Sequence, residues 1–291
     1  MKYLPKRESG QALLLVLLSM SVVLTIVLSI LARSTVDIGI STRSEESVRA
    51  FSAAEAGIER ALVAGVPTLS GNFDNGSTTF DAKVTSFSSA VSEFILPSSL
   101  YSGESATVWF VSHKEDGSLS LVCDAGNPCF TGNQIEVCWG KEETRSAYIP
   151  AIEISVIYLS TPGDYTTAKI ARVAVDPNDT RRNSNSFSDH DNGTCVIGGQ
   201  TFVFRSKFNL GPLGVNTSGL QLARIAILYN TDMGHPVAVR VFGGILPAQG
   251  VVIDSSGVSG NSTRKVEVIR GFKELPGIFE NVAFSYGGIT Q

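Results

Sequence analysis

Residues 12–32 form the longest uninterrupted apolar run of the chain, broken only by Ser19, Ser21, Thr25 and Ser29. A helix of that length rises about 1.5 Å per residue and reaches about 32 Å, close to the roughly 30 Å hydrocarbon core of a bilayer. Fourteen of these residues are Leu, Val or Ile. At roughly −0.3 to −0.6 kcal/mol each, they supply on the order of −4 to −8 kcal/mol for insertion. An uncharged run has no polar face, so a buried helix of a water-soluble protein is excluded as its first reading. Its length also exceeds the roughly 7–15-residue apolar core of a cleaved secretory signal, and 29–32 offers no good small-x-small cleavage site.

The pattern then changes without a break. Residues 33–64 contain no proline, and their only glycines are Gly39 and Gly57. Ala50, Ala53, Ala54, Gly57, Ile58 and Ala61 recur at i, i+3, i+4, i+7, i+8 and i+11, one face of a helix. The opposite face carries Glu46, Arg49, Glu59 and Arg60. The small face predicts a close backbone approach, with the sheet of the chain's own C-terminal region as partner. Gly57 costs roughly 1 kcal/mol of helix propensity that such packing must offset.

From residue 65 onward, short alternating or β-branched runs lie between turn signals such as Asp74-Asn75-Gly76, Asp116-Gly117 and Pro162-Gly163. Strands are expected at 80–87, 107–112, 119–122, 134–139, 152–159, 169–175, 201–208, 220–229, 236–242, 251–254, 264–270 and 281–286. The predicted class is α+β: a long N-terminal helix, membrane half plus amphipathic half, packed on a large antiparallel β-rich head. The expected organisation is a leader at 1–10, a helix at 11–64 spanning the membrane at 12–32, and a β-rich domain at 65–291. The polar stretch 176–192 is the expected boundary between two lobes, or a long surface loop.

Charge sets the orientation. Lys2, Lys6 and Arg7 precede the run with only Glu8 against them, whereas Arg33, Arg43 and Arg49 beyond it are mixed with Asp37, Glu45 and Glu46. The basic excess predicts a single-pass protein of the cytoplasmic membrane, with the N-terminus inside and the head outside. The net charge of −4 gives no basic surface for nucleic acid. Extracytoplasmic exposure permits disulfides. Cys123, Cys129, Cys138 and Cys195 allow three pairings, of which Cys123–Cys129 with Cys138–Cys195 is favoured; a zinc site or reduced core thiols are the alternatives.

Lys6-Arg7-Glu8-Ser9-Gly10, followed by Gln11 and the apolar run, resembles the site cut by prepilin peptidase. Ala50, Phe51, Ala53, Ala54, Glu55, Ala56 and Gly57 resemble the pattern that follows the apolar helix in PilX-like minor pilins. The resemblance covers about residues 6–64, roughly a fifth of the chain. It implies cleavage between Gly10 and Gln11, and assembly through the helix into a type IV pilus or related filament. The implied partners are other pilin-like subunits, the peptidase, the assembly machinery and, before assembly, the lipid bilayer. The family's usual first mature Phe and fifth-position Glu are here Gln11 and Leu15, which resembles atypical minor subunits, including those at filament tips or in assembly priming.

Catalytic chemistry is not signalled. His113, His190 and His235 are scattered, and no H-E-x-x-H, G-x-S-x-G or phosphate-loop pattern occurs. Asp189-His190-Asp191-Asn192-Gly193 has the oxygen density of a calcium loop without its regular spacing or later glutamate. Glu142, Glu143, Asp176 and Asp179 read as surface charge. No catalytic, cofactor or metal residue is therefore assigned. A structural filament subunit is the leading expectation, ahead of a membrane-tethered adhesin or binding module and an anchored enzyme.

Overall fold

The computed structural model describes residues 11–114, 117–120, 123–141, 148–229 and 231–274. The leader, with Gly10, and the expected strand at 281–286 lie outside the described residues, as do Glu142 and Glu143. The chain divides into two compact units, one taking in residues up to Lys83 together with Asp254–Glu267, the other Val84–Ile253 with the residues from Val268.

The first unit is built on α1 (Gln11–Ala64), one unbroken helix of 54 residues. Strands β1 (Thr68–Phe73) and β2 (Thr78–Phe87) follow, joined by a tight turn in which Asp74 and Asn75 take left-handed backbone angles. They pair antiparallel, with Gly71 opposite Phe80. Near the other end of the chain come β13 (Gly250–Ser259) and β14 (Ser262–Gly271), adjacent strands linked by Gly260-Asn261. A two-residue link between neighbouring strands is a hairpin, and Gly260 (φ +54) supplies its left-handed position. The sheet order is β1-β2-β13-β14. The expected strand at 251–254 is thus the start of a ten-residue strand, and β1 was not foreseen.

The second unit holds β3 (Glu93–Ile95), β4 (Ser105–Trp109), β5 (Gln134–Trp139), β6 (Ala151–Leu159), β7 (Ala168–Val175), α2 (Asp179–Asn185), β8 (Cys195–Ile197), β9 (Gln200–Phe202), β10 (Phe204–Asn209), β11 (Leu220–Leu228) and β12 (Val237–Phe242). Two four-stranded sheets form, in the orders β10-β5-β12-β3 and β4-β11-β6-β7. Every pairing in both is antiparallel. Ile135, Val137 and Trp139 of β5 face one core with Ile152, Ile154 and Val156 of β6, so the sheets close on each other as a sandwich. Trp139 is buried, and its indole N–H donates to the Pro150 carbonyl at 3.0 Å.

Three expectations change here. The stretch 176–192 lies inside the second unit, where α2 forms with Asn178 as N-cap, its side chain accepting from the Arg181 amide at 3.0 Å. The expected strand at 201–208 is two strands parted at Val203, and β8 precedes them. Leu119 makes only an isolated bridge with His113, while residues 121–122 lie outside the described residues.

Candidate functional site

The long helix has two halves with opposite environments. From residue 12 to 32 every side chain is exposed, and Leu13, Leu24 and Ile30 show 65%, 58% and 62% of their surface. Fully burying one such side chain is worth about 1.5–3 kcal/mol, so a stripe of this length demands an apolar medium that the chain itself does not provide. Three of the polar side chains within the stripe are satisfied by the helix itself. Ser19, Ser21 and Thr25 hydroxyls donate to the carbonyls of Val16, Leu18 and Ser21 at 2.9, 2.8 and 2.6 Å. Returning a hydroxyl to the helix's own backbone is what a lipid-facing segment requires. The helix is long and apolar enough to cross a membrane.

The second half is locked to its own sheet. Ala50, Ala53, Ala54, Ile58 and Ala61 are buried, and Gly57 is buried with them. A Cβ on Gly57 would overlap the Ser255 hydroxyl and the Phe80 ring, and one on Gly257 would overlap the Ala50 carbonyl oxygen and the Ala54 amide nitrogen. Small residues on the helix thus meet small residues on β13, and backbone lies on backbone. Arg60 lies 4.8 Å over the Phe73 ring and 5.4 Å from Phe80, closing the flank of this seam.

The hairpin tip is held from the helix as well. Glu46 accepts the Asn261 amide at 3.2 Å, and Arg264 donates to the Ser47 hydroxyl at 2.6 and 2.8 Å. Glu55 is exposed, and Arg49 pairs with Glu45 at 2.7 Å. Ser255, Gly257 and Gly260 were missed from sequence. The only signal for Ser255 and Gly257 is the small residue at every second position of 255–259, and Gly260 stands in the turn that follows.

The four cysteines form Cys123–Cys129 and Cys138–Cys195. Two disulfides point to an oxidising, extracytoplasmic compartment. The second bond fastens the β8–β9 hairpin over the outer face of β5, where Cys138, Cys195, Ile197, Phe202 and Ala238 make a small apolar cluster. Beside it runs a row of charges across all four strands of the sheet. Arg240 donates to Glu93 at 2.8 Å and to Glu136 at 2.9 Å, and Arg205 reaches Glu136 at 2.6 Å. Hydrogen bonding by Glu93, then the Glu136 carboxylate, raises the Arg240 pKa above its ordinary value.

Among the described residues, Glu136, Cys138 and Cys195 are the one grouping with metal-ligand proximity. Their chemistry does not fit a metal. The sulfurs are bonded to each other rather than present as thiolates, and the carboxylate is held between two guanidinium groups. The Asp189–Gly193 stretch is also turned to protein partners. Asp189 meets Arg182 at 2.9 Å, and Asp191 accepts the Lys207 amide at 2.8 Å. Asp176 is buried rather than a surface charge. It takes a bidentate contact from Arg181 at 2.7 and 2.9 Å, with Asn178 and Asn185 supplying further donors. Asp179 pairs with Arg182 on α2. The three histidines lie apart: His113 stacks on Phe272, His190 contacts Asp189, and His235 is fully buried.

Comparison with protein-family models, with curated proteins and with solved structures finds no match.

Proposed function

We propose that the chain is a minor pilin-like structural subunit of a type IV pilus or related filament. The observation that carries this reading is the division of α1. One half exposes an uncharged apolar surface that needs lipid or other helices, and the same unbroken helix is fixed by its second half to a folded sheet. A subunit that moves from bilayer to filament needs that combination. Lipid and packed apolar helices are similar solvents, so exchanging one for the other is nearly balanced. The leader resemblance adds the route: residues 1–10 are removed by prepilin peptidase on the cytoplasmic side, and the helix from Gln11 is then extracted by the assembly machinery. Leu15 stands where the family usually has an acid, and with the large head this favours a tip or priming position over the repeating shaft.

Intact mass of protein extracted from membranes tests the reading. A mature chain beginning at Gln11 is the expected result. A chain retaining residues 1–10 in assembled cells overturns it and leaves a permanently tethered binding module. Cysteine cross-linking from the 12–32 helix to other helix-led subunits checks the assembly step, and uniform placement along the shaft would refute the tip position.

A further inference from the structure

The two disulfides of the second unit sit in opposite surroundings. Cys138 and Cys195 are buried, at 0% and 3% exposure, with Ile197 and Phe202 around them. Cys123 is exposed and Cys129 half-buried. A small cavity of about 60 Å³ opens beside the second pair, with Cys123, Cys129, Phe130, Leu159, Tyr165 and Gln221 in its wall. A small solute can reach this bond, whereas the other is covered by protein.

The loop that Cys123–Cys129 closes holds its shape without the sulfurs. The Asp124 amide donates to the Asn127 carbonyl at 3.1 Å, and the Asn127 amide returns a bond to the Asp124 carbonyl at 3.2 Å. The Asp124 carboxylate accepts the Gly126 and Asn127 amides, both at 2.8 Å, and the Asn127 side-chain amide at 3.2 Å. Beyond the turn, the Ser112 hydroxyl donates to the Pro128 carbonyl at 2.7 Å, and the Phe130 amide to the Phe110 carbonyl at 2.8 Å. Breaking the bond between the sulfurs removes none of these contacts. The two thiols then stay close together, at the high effective concentration that favours closing again. All four cysteines of the chain are taken up in the two bonds, so the chain holds no thiol of its own to begin an exchange.

We infer that Cys123–Cys129 is a reversible thiol–disulfide exchange site that takes a small external dithiol as its reductant, while Cys138–Cys195 stays closed and fastens the fold. A thiolate of the dithiol attacks the exposed Cys123 Sγ. The Cys123–Cys129 bond breaks as the mixed disulfide forms, and its electron pair leaves on the Cys129 Sγ. The second sulfur of the dithiol then displaces Cys123, and the reductant departs as its own disulfide. Two electrons and two protons have passed to the cysteine sulfurs. Exposed disulfides are the labile class and buried ones resist reduction. The exchange is the same whether α1 lies in lipid or in a filament.

Timed reduction of the full oxidised chain in detergent micelles tests it, with dithiothreitol as the dithiol and alkylation followed by peptide mass spectrometry as the readout. Cys123 and Cys129 should be labelled about a hundredfold faster than Cys138 and Cys195. Opening of Cys138–Cys195 at the same rate or sooner overturns the inference. So does a Cys123–Cys129 bond that opens only when denaturant unfolds the protein. Transfer of the reduced protein to oxidised glutathione should re-form Cys123–Cys129, and mixed disulfides that never resolve overturn its reversibility. Asp124→Ala and Asp124→Asn both lose the charge, but only the Asn variant keeps an acceptor for the loop amides. Re-closure should be about tenfold slower in the Ala variant than in the Asn variant; equal rates overturn the part given to the loop's hydrogen bonds. Should the variants fail to fold, the labelling rates of the unsubstituted chain still decide.

Discussion

Gly257 of β13 lies directly against the backbone of Ala50 in α1, with no room between them for a single methyl group. Both sides of that contact are main chain, so neither can swing aside. Gly257→Ala should therefore destabilise the protein by about 3 kcal/mol through overpacking. Gly39 is the control, since a Cβ there meets nothing within 4 Å. Gly39→Ala should stabilise the helix by about 1 kcal/mol, the propensity difference alone. Denaturant unfolding of the two variants should move in opposite directions.

Asp176→Asn should cost about 3 kcal/mol, because it removes the fully buried charge of the pair and leaves the half-buried Arg181 guanidinium without its partner. Burial pushes the Asp176 carboxyl upward, but hydrogen bonds from Arg181, Asn178 and Asn185 together with the Arg181 charge outweigh it and leave the pKa below its ordinary 3.8. A folded pKa below the unfolded one stabilises the fold at neutral pH. That contribution is lost as the pH falls below about 3.8 and through the folded pKa. The acid limb of a stability–pH curve should flatten in the Asn variant.

His113 and His235 act in a different window. Burial lowers both from 6.5 to about 4, and the Lys141 charge adds to the effect at His235. The unfolded chain therefore binds protons between pH 6.5 and 4 that the folded chain refuses. Stability should fall across that interval by about 1.4 kcal/mol per pH unit for each histidine, and level off below it. His235→Gln should reduce the slope, as read from unfolding midpoints between pH 7 and 4.

The two disulfides should differ in weight. Cys138–Cys195 spans 57 positions and Cys123–Cys129 only 6. Loop-closure entropy gives about 4 kcal/mol for the first and about 2 for the second. Replacing each pair by serine and comparing melting temperatures should show the larger loss for Cys138–Cys195, and proteolysis should then cut first near the β8–β9 hairpin.

The helix side of the seam was legible in the sequence, and the sheet side was not. Ala50, Ala53, Ala54, Gly57 and Ala61 repeat with helical spacing, which marks a small face before any partner is known. Ser255, Gly257 and Ser259 of β13 look like loop residues, because small and polar side chains lower strand propensity. They form a strand because α1 lies over them, a contact about 200 residues away in sequence that no local window contains. Strand β5 was read with its boundaries intact, since it follows a clear turn and is rich in apolar residues. The three-residue strands β3 and β8 were missed because each is fixed by neighbours rather than by its own pattern. Asp176 was taken for a surface charge because its partners follow it within nine residues on a short helix that composition did not suggest.

The unbroken course of α1 has a mechanical consequence. A pull on the apolar end travels along a single hydrogen-bonded rod and arrives as shear on the Ala50–Gly257 contact, where methyl-sized steps interlock. No proline divides the rod, and Gly39 is the sole position on the way where the backbone is unburdened by a side chain. Load would bend the molecule there before it peeled the sheet from the helix.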